Sequence, residues 1–180
     1  LEIPIVVDSI TGYQNLCYLL TELHCNSRRS LSRVLCEGSD PSGFLPYPTG
    51  GMIALLTPAS FPSFSRRRIL RTTHLLCNTF GKHNIYITLT RDHNRGSNKI
   101  NRLLIDLAQH LNLPLLASNA PLFAHRENRL LADCFTCLRH HTTLDEAGSL
   151  LATNSERHLK SPEEMSSLFS DQQEALTNTQ

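Results

Sequence analysis

Cys134 and Cys137 stand three residues apart and are followed closely by His140 and His141. Thiolates and imidazoles at such spacing are the raw material of a zinc site, but zinc needs four ligands converging tetrahedrally. Helical periodicity instead puts Cys134 on one face with Leu131, Phe135 and Leu138. A Cys-x-x-Cys pair within such a face reads as core packing, with both thiols buried and reduced. Arg91-Asp92-His93 is a second titratable group, placed just past an apolar run, and His93 is its best remaining candidate for a metal ligand. Basic residues gather at Arg66-Arg67-Arg68 with Arg71, and again at Arg157, His158 and Lys160. Such clusters are either a solvated helix face or contacts to nucleic-acid phosphates. No Ser-His-Asp or Cys-His constellation stands at a workable spacing, and no Gly-rich loop is present to cradle a phosphate. A set of carboxylates able to hold two metal ions is not recognisable either.

The elements that must position these groups follow from the apolar pattern. Ile3–Val7, Met52–Leu56, Ile85–Leu89 and Leu113–Ser118 are short apolar runs that read as strands. Between and after them lie helical patterns. One starts at Thr11, read as an N-cap with Gln14 closing the box, and its face is Leu16, Leu19, Leu20 and Leu23. A short one covers Leu31–Cys36. Another is Arg66–Phe80, with Ile69, Leu76, Cys77 and Phe80 inward and Gly81 at its end. The most regular carries Ile100, Leu103, Leu104, Leu107, Ala108 and Leu111, and the last is Arg126–His140. Glu37–Thr49 and Pro58–Ser65 read as loops. Uniformly apolar strands alternating with helices imply an α/β fold, a parallel sheet or barrel with helices outside. Sites in such folds collect at the C-terminal strand ends, here Asp8, Thr57, Arg91–His93 and Asn119–Phe123. Beyond His140 come short capped helices without strands, opened by Thr143, by Ser161-Pro162-Glu163-Glu164, and by Ser170 with Gln173. The expected division is therefore 1–140 as the α/β part and 141–180 as a helical connector.

The chain has 180 residues and a net charge of +1, so no strong field announces nucleic acid or membrane. It carries six cysteines but neither a signal peptide nor an apolar run long enough to cross a bilayer. That combination points to reduced thiols, a cytoplasmic location and no membrane partner. The chain opens directly in a strand with no initiator Met, as a fragment of a longer protein would.

Residues 130–165 carry a resemblance. Thr136-Cys137-Leu138-Arg139-His140, then Thr143-Leu144-Asp145-Glu146-Ala147-Gly148, then Glu156-Arg157-His158-Leu159-Lys160-Ser161-Pro162-Glu163-Glu164-Met165 closely resemble the stretch after the PHP barrel in bacterial error-prone DNA polymerases of the polymerase III alpha-subunit (C-family) type. Upstream, Gly12-Tyr13-Gln14-Asn15-Leu16 is similar to the family's Gly-Tyr-x-Asn-Leu helix start, and Ile85–Arg91 and Leu113–Asn119 stand where it has two strands. The resemblance implies an incomplete PHP-type distorted β/α barrel, holding the later strands. It implies a structural module within a polymerase, with the rest of that polypeptide as partner, DNA reached through the parent enzyme, and Mg2+ used by the parent. It also strengthens Arg157, His158 and Lys160 as candidate nucleic-acid contacts, beside the basic run Arg66–Arg68. The departures matter as much. Where metal-binding PHP domains read Asn-Asp-x-His, this chain reads Asn119-Ala120-Pro121-Leu122, and the family's Glu and Gln in the preceding strand are Thr88 and Thr90. No metal or other cofactor, and no catalytic residue, is therefore expected in this chain. The alternatives are a PHP metal-dependent phosphoesterase or proofreading exonuclease domain with a degenerate site, or a split-gene remnant. Strands left without neighbours would make the isolated chain self-associate through open edges.

Overall fold

A computed structural model describes residues 2–25, 48–60 and 66–179, the side chains of Arg66 and Arg68 excepted. The expected helix Leu31–Cys36 and most of the loops Glu37–Thr49 and Pro58–Ser65 lie outside the described residues. Strands β1 (Ile5–Val7), β2 (Met52–Leu56), β3 (Ile85–Thr90) and β4 (Leu115–Ser118) order as β1-β2-β3-β4 in one sheet. Helices α1 (Ile10–Cys25), α2 (Arg66–Phe80), α3 (Ser97–Leu111), α4 (Arg129–His140), α5 (Leu144–Ala147), α6 (Pro162–Leu168) and α7 (Gln173–Thr177) complete the α/β pattern. None of the described helices is long and apolar enough to cross a membrane.

The all-parallel expectation is corrected at β1. β2 and β3 run parallel, with Ala54 opposite Ile85 and Leu56 opposite Ile87. β1 instead runs antiparallel to β2, with Ile5 opposite Ala54 and Val7 opposite Met52. A three-residue strand specifies little by its pattern, and its direction is set by where the chain crosses the sheet edge. The N–H of Leu55 donates to Pro4 O and that of Asp8 to Gly51 O, which fixes this crossing. The same position leaves Val6 47% exposed, so β1 is not buried on both faces.

By contact the chain forms two compact units. The first holds residues 1–88 and 104–115. Its core contains Met52, Leu56, Leu76, Ile85, Ile87 and Leu104, all essentially without solvent contact. The inward face of α2 is the expected one, with Ile69, Leu76, Cys77 and Phe80 buried. α1 begins two residues earlier than read, because Ser9 and not Thr11 caps it, its Oγ accepting from Gly12 N at 3.1 Å.

The second unit holds residues 89–103 and 116–180. Its buried apolar residues are Leu89, Ala117, Phe123, Cys137, Ala147, Phe169 and Ala175. The reading of α4 is overturned. Leu131 (55%), Phe135 (63%) and Leu138 (69%) face solvent, while Asp133 and Cys137 are buried. The cause is the segment that follows. Asp133 Oδ1 accepts from Ala152 N at 2.9 Å and Arg129 donates to Ala152 O, fastening that strand of chain to the polar edge of the helix. At α6 the capping box is made as read: Ser161 Oγ accepts from Glu164 N, and Glu164 accepts from Ser161 N. Thr143 makes no side-chain cap, and α7 has Gln172 and not Ser170 at its N-cap, with Gln173 Nε2 donating to Ser170 O at 3.2 Å.

Candidate functional site

In the first unit Asp8 is exposed, and Thr57 Oγ1 lies 3.2 Å from Ser60 Oγ in a tight local turn. Of the basic run that opens α2, Arg67 is exposed. The side chains of Arg66 and Arg68 lie outside the described residues.

In the second unit Arg91-Asp92-His93 divides its labour. Arg91 donates to Leu168 O at 2.6 Å and makes a two-pronged pair with Asp171, at 2.6 and 2.7 Å. Its guanidinium sits 4.9 Å from the centre of the buried Phe169 ring. Planar, bidentate and stacked, this is a clamp on the turn between α6 and α7. Asp92 turns back on its own loop, accepting from Ser97 Oγ and Asn94 Nδ2, both at 2.7 Å. Burial works against its charge, but the hydrogen bonds from Ser97 and Asn94 prevail and hold its pKa below the usual carboxylate range. His93 is exposed, with a left-handed backbone at φ 54°.

Asn119 is the pivot of the other strand end. Its Nδ2 donates to Glu156 O at 2.9 Å and to His158 O at 2.6 Å, while its Oδ1 is buried without a partner. Beside it, Leu122 N donates to Arg157 O and Leu159 N to Phe123 O, so that Phe123 and His158 form a parallel bridge. Arg157 Nε donates to Ala120 O at 2.8 Å. His158 is buried, its Nδ1 donating to Ser155 O. Lys160 keeps its side chain 5% exposed, with Nζ 3.2 Å from Glu156 Oε2. Arg126 reaches the same carboxylate at 2.6 Å. Glu156 is partly desolvated, yet hydrogen bonds and charge from Lys160 and Arg126 lower its pKa. Asn154 ties this segment to the Arg91 loop by donating to Asp92 O.

The basic cluster at Arg157–Lys160 is thus turned inward and engaged with backbone and carboxylate. A cavity of about 500 Å³ opens beside Lys160, lined by Pro162, Met165, Ser166 and Gln173 among others. Among the described residues no three His, Cys, Asp or Glu side chains gather as metal ligands. The donor set at Asn119-Ala120-Pro121-Leu122 does not fit a metal cluster. Ala120, Pro121 and Leu122 offer no side-chain donor, which leaves Asn119 Oδ1 as the one side-chain atom of the four able to ligate. Sequence reasoning placed Asn119 at this strand end but missed its partners, because Glu156 and His158 lie 37 and 39 residues away. Nothing local in the pattern signals such a bond.

The cysteines give a direct check on the outward turn of α4. Cys17 and Cys25 are exposed, Cys134 is half-buried, and Cys77 and Cys137 are buried. Burial raises the Cys77 thiol pKa, with Lys82 opposing, and raises that of Cys137, helped by Cys134 and Asp133. Native thiol titration should label Cys17 and Cys25 promptly, Cys134 more slowly, and Cys77 and Cys137 after denaturant is added. Prompt labelling of Cys137 would contradict this packing.

No family model matches the chain. Curated relatives do. It is 34% identical over 172 residues to an error-prone DNA polymerase of Pseudomonas syringae pv. tomato, covering 94% of this chain and 16% of that protein. It is 32% identical over 170 residues to that of Pseudomonas fluorescens, covering 93% of this chain and 15% of the relative. Against that of Brucella abortus it is 40% identical over 95 residues, 53% of this chain and 9% of the relative. The chain therefore spans 16% or less of the length of these proteins.

Proposed function

We propose, from the premise that this chain is related along nearly its whole length to one segment of error-prone DNA polymerases, that it is a supporting module of such a polymerase and not its catalytic part. The carrying observation is that match, 94% of the chain falling within 16% of a polymerase. The geometry supports a bracing role. The polar groups at the strand ends in the second unit are spent on holding backbone: Arg91 on Leu168, Asn119 on Glu156 and His158, Arg157 on Ala120. The module is of PHP type in this reading, with the later strands of its β/α barrel here. Its partner is the remainder of the polymerase polypeptide, and DNA and Mg2+ are engaged by that remainder. Of the basic residues, Arg67 is free to face a phosphate, while Lys160 and His158 serve internally.

Assays on the purified chain test this. Primer extension, and hydrolysis of a phosphate ester or of labelled single-stranded DNA with Mg2+, Mn2+ or Zn2+, should match a no-enzyme control. Metal-dependent turnover, lost on changing His93 to alanine, would replace this reading with a phosphoesterase.

A further inference from the structure

Between Asp40 and Asp92 the chain carries no acidic residue, yet six of its 17 Lys and Arg stand there. The rest of the sequence is net acidic, with eleven Lys and Arg against 16 Asp and Glu. The small overall charge therefore hides a segregation of sign. α2 is its centre. Arg66, Arg67, Arg68 and Arg71 open a helix whose 15 residues include no acid. Helical geometry puts Arg67, Arg71, His74 and Asn78 within an arc of about 60°, along about 16 Å of axis. All four are exposed. The opposite face, with Ile69, Thr73, Leu76, Cys77 and Phe80, is buried. β2 and the turn Lys82–Asn84 pack against α2, and they bring no carboxylate while adding Lys82 and His83. The acids described in the first unit are Glu2, Asp8 and Glu22, all before residue 26, and Asp106 on α3. Among the described residues neither Arg67 nor Arg71 is in an ion pair.

An ordinary solvated helix face interleaves the two signs, often as i,i+4 pairs. This face does not, and its arginines stand at the positive end of the helix dipole, where cations are disfavoured. An anion lying along the stripe relieves both. We propose that the Arg67–Arg71–His74 face of α2 binds the sugar–phosphate backbone of a nucleic-acid strand, through charge and without reading bases. A repeating anion suits a stripe of successive cations, and guanidinium groups match phosphate oxygens in pairs. A membrane surface fits less well, because an interfacial helix needs an exposed apolar face and that of α2 is buried. This contact goes beyond the supporting role, and it follows from the charge distribution of this chain whether or not that role holds.

Fluorescence anisotropy of a labelled oligothymidylate, titrated with the full chain over a series of salt concentrations, tests it. Binding should weaken as salt rises. Arg67→Gln/Arg71→Gln, two exposed changes to a good helix former, should weaken binding about 10-fold or more at low salt. It should also reduce the steepness of the log–log salt dependence by about 1.4, the loss of two phosphate contacts to a single strand. Arg67→Lys/Arg71→Lys keeps the charge and should keep the steepness. Arg139→Gln removes a charge in the second unit and should leave binding unchanged. A chain that does not bind the oligonucleotide at low salt overturns the proposal. Binding that the Gln double variant leaves unchanged also overturns it, and places the contact on another basic surface. Binding to phosphatidylserine vesicles without binding to the oligonucleotide overturns it in favour of a membrane. None of these outcomes decides the primer-extension test of the supporting role.

Discussion

Gly12→Ala should destabilise the first unit by about 3 kcal/mol or more, although alanine is normally the better helix residue by about 1 kcal/mol. A Cβ at position 12 would stand 1.9 Å from Gly51 O, 2.5 Å from its carbonyl carbon and 2.9 Å from its Cα. These are backbone atoms, so no rotamer change relieves the clash. Gly51 cannot move cheaply either, because it holds φ +74° and is hydrogen-bonded to Asp8 N. Asn15 adds a second tie, its Nδ2 donating to Gly50 O at 2.8 Å. The helix therefore lies directly on the β-turn backbone, and glycine is what permits it. Gly50→Ala is the control, since a Cβ there meets nothing within 4 Å. Urea unfolding followed by circular dichroism should show a large fall in midpoint for Gly12→Ala and little change for Gly50→Ala. A neutral or stabilising Gly12→Ala would mean that α1 does not sit on Gly51.

Asn119→Asp should destabilise the second unit by about 3 kcal/mol or more at neutral pH. The change is nearly isosteric, yet it replaces a donor of two hydrogen bonds by an oxygen facing the carbonyls of Glu156 and His158. The new carboxylate would be buried, as Asn119 is 6% exposed. Burial and facing carbonyls raise its folded pKa above the unfolded value of about 3.9. A group raised in this way contributes its stability in full below the unfolded pKa and loses it as pH rises through the folded one. The penalty relative to the parent should therefore shrink on acidification. The parent chain itself should weaken in acid, for the opposite reason. Asp92, Glu156 and Asp171 have lowered folded pKa values, so their contribution is present above the unfolded carboxylate pKa and is lost as pH falls through the folded ones. Asn119→Ala, which removes the donor without adding charge, should cost less and show no such recovery.

Much of the framework was legible because it rests on local physics. β2, β3 and β4 fall where short apolar runs stand, and the inward faces of α2 and most of α3 follow the helical period. The box at Ser161 was readable because serine, proline and glutamate act within four residues of one another. The direction of β1 was not, since three apolar residues are compatible with either sense of pairing. The face of α4 was misjudged for a physical reason: apolar periodicity locates a face but does not say whether this chain covers it. There Asp133 and Arg129 hold Ala152, a bond between residues 19 and 23 apart, and this turns the apolar side outward. At the candidate site the key residues Arg91 and Asn119 were located by their strand ends. Their roles were not, because the groups they grip are 77 and 37 residues along the chain.

The claim that these strand-end residues brace the chain is most directly tested by amide hydrogen exchange on the parent and on Asn119→Asp. In the parent, the amides of Leu122, Ala152 and Leu159, which donate to Arg157 O, Asp133 Oδ1 and Phe123 O, should exchange slowly and with similar protection. In the variant, Leu122 and Leu159 should lose that protection together, while amides of β2 and β3 such as Leu55 and Ile87 keep theirs. Rapid exchange at Leu122 and Leu159 in the parent, or protection there unchanged by the substitution, would contradict the bracing role.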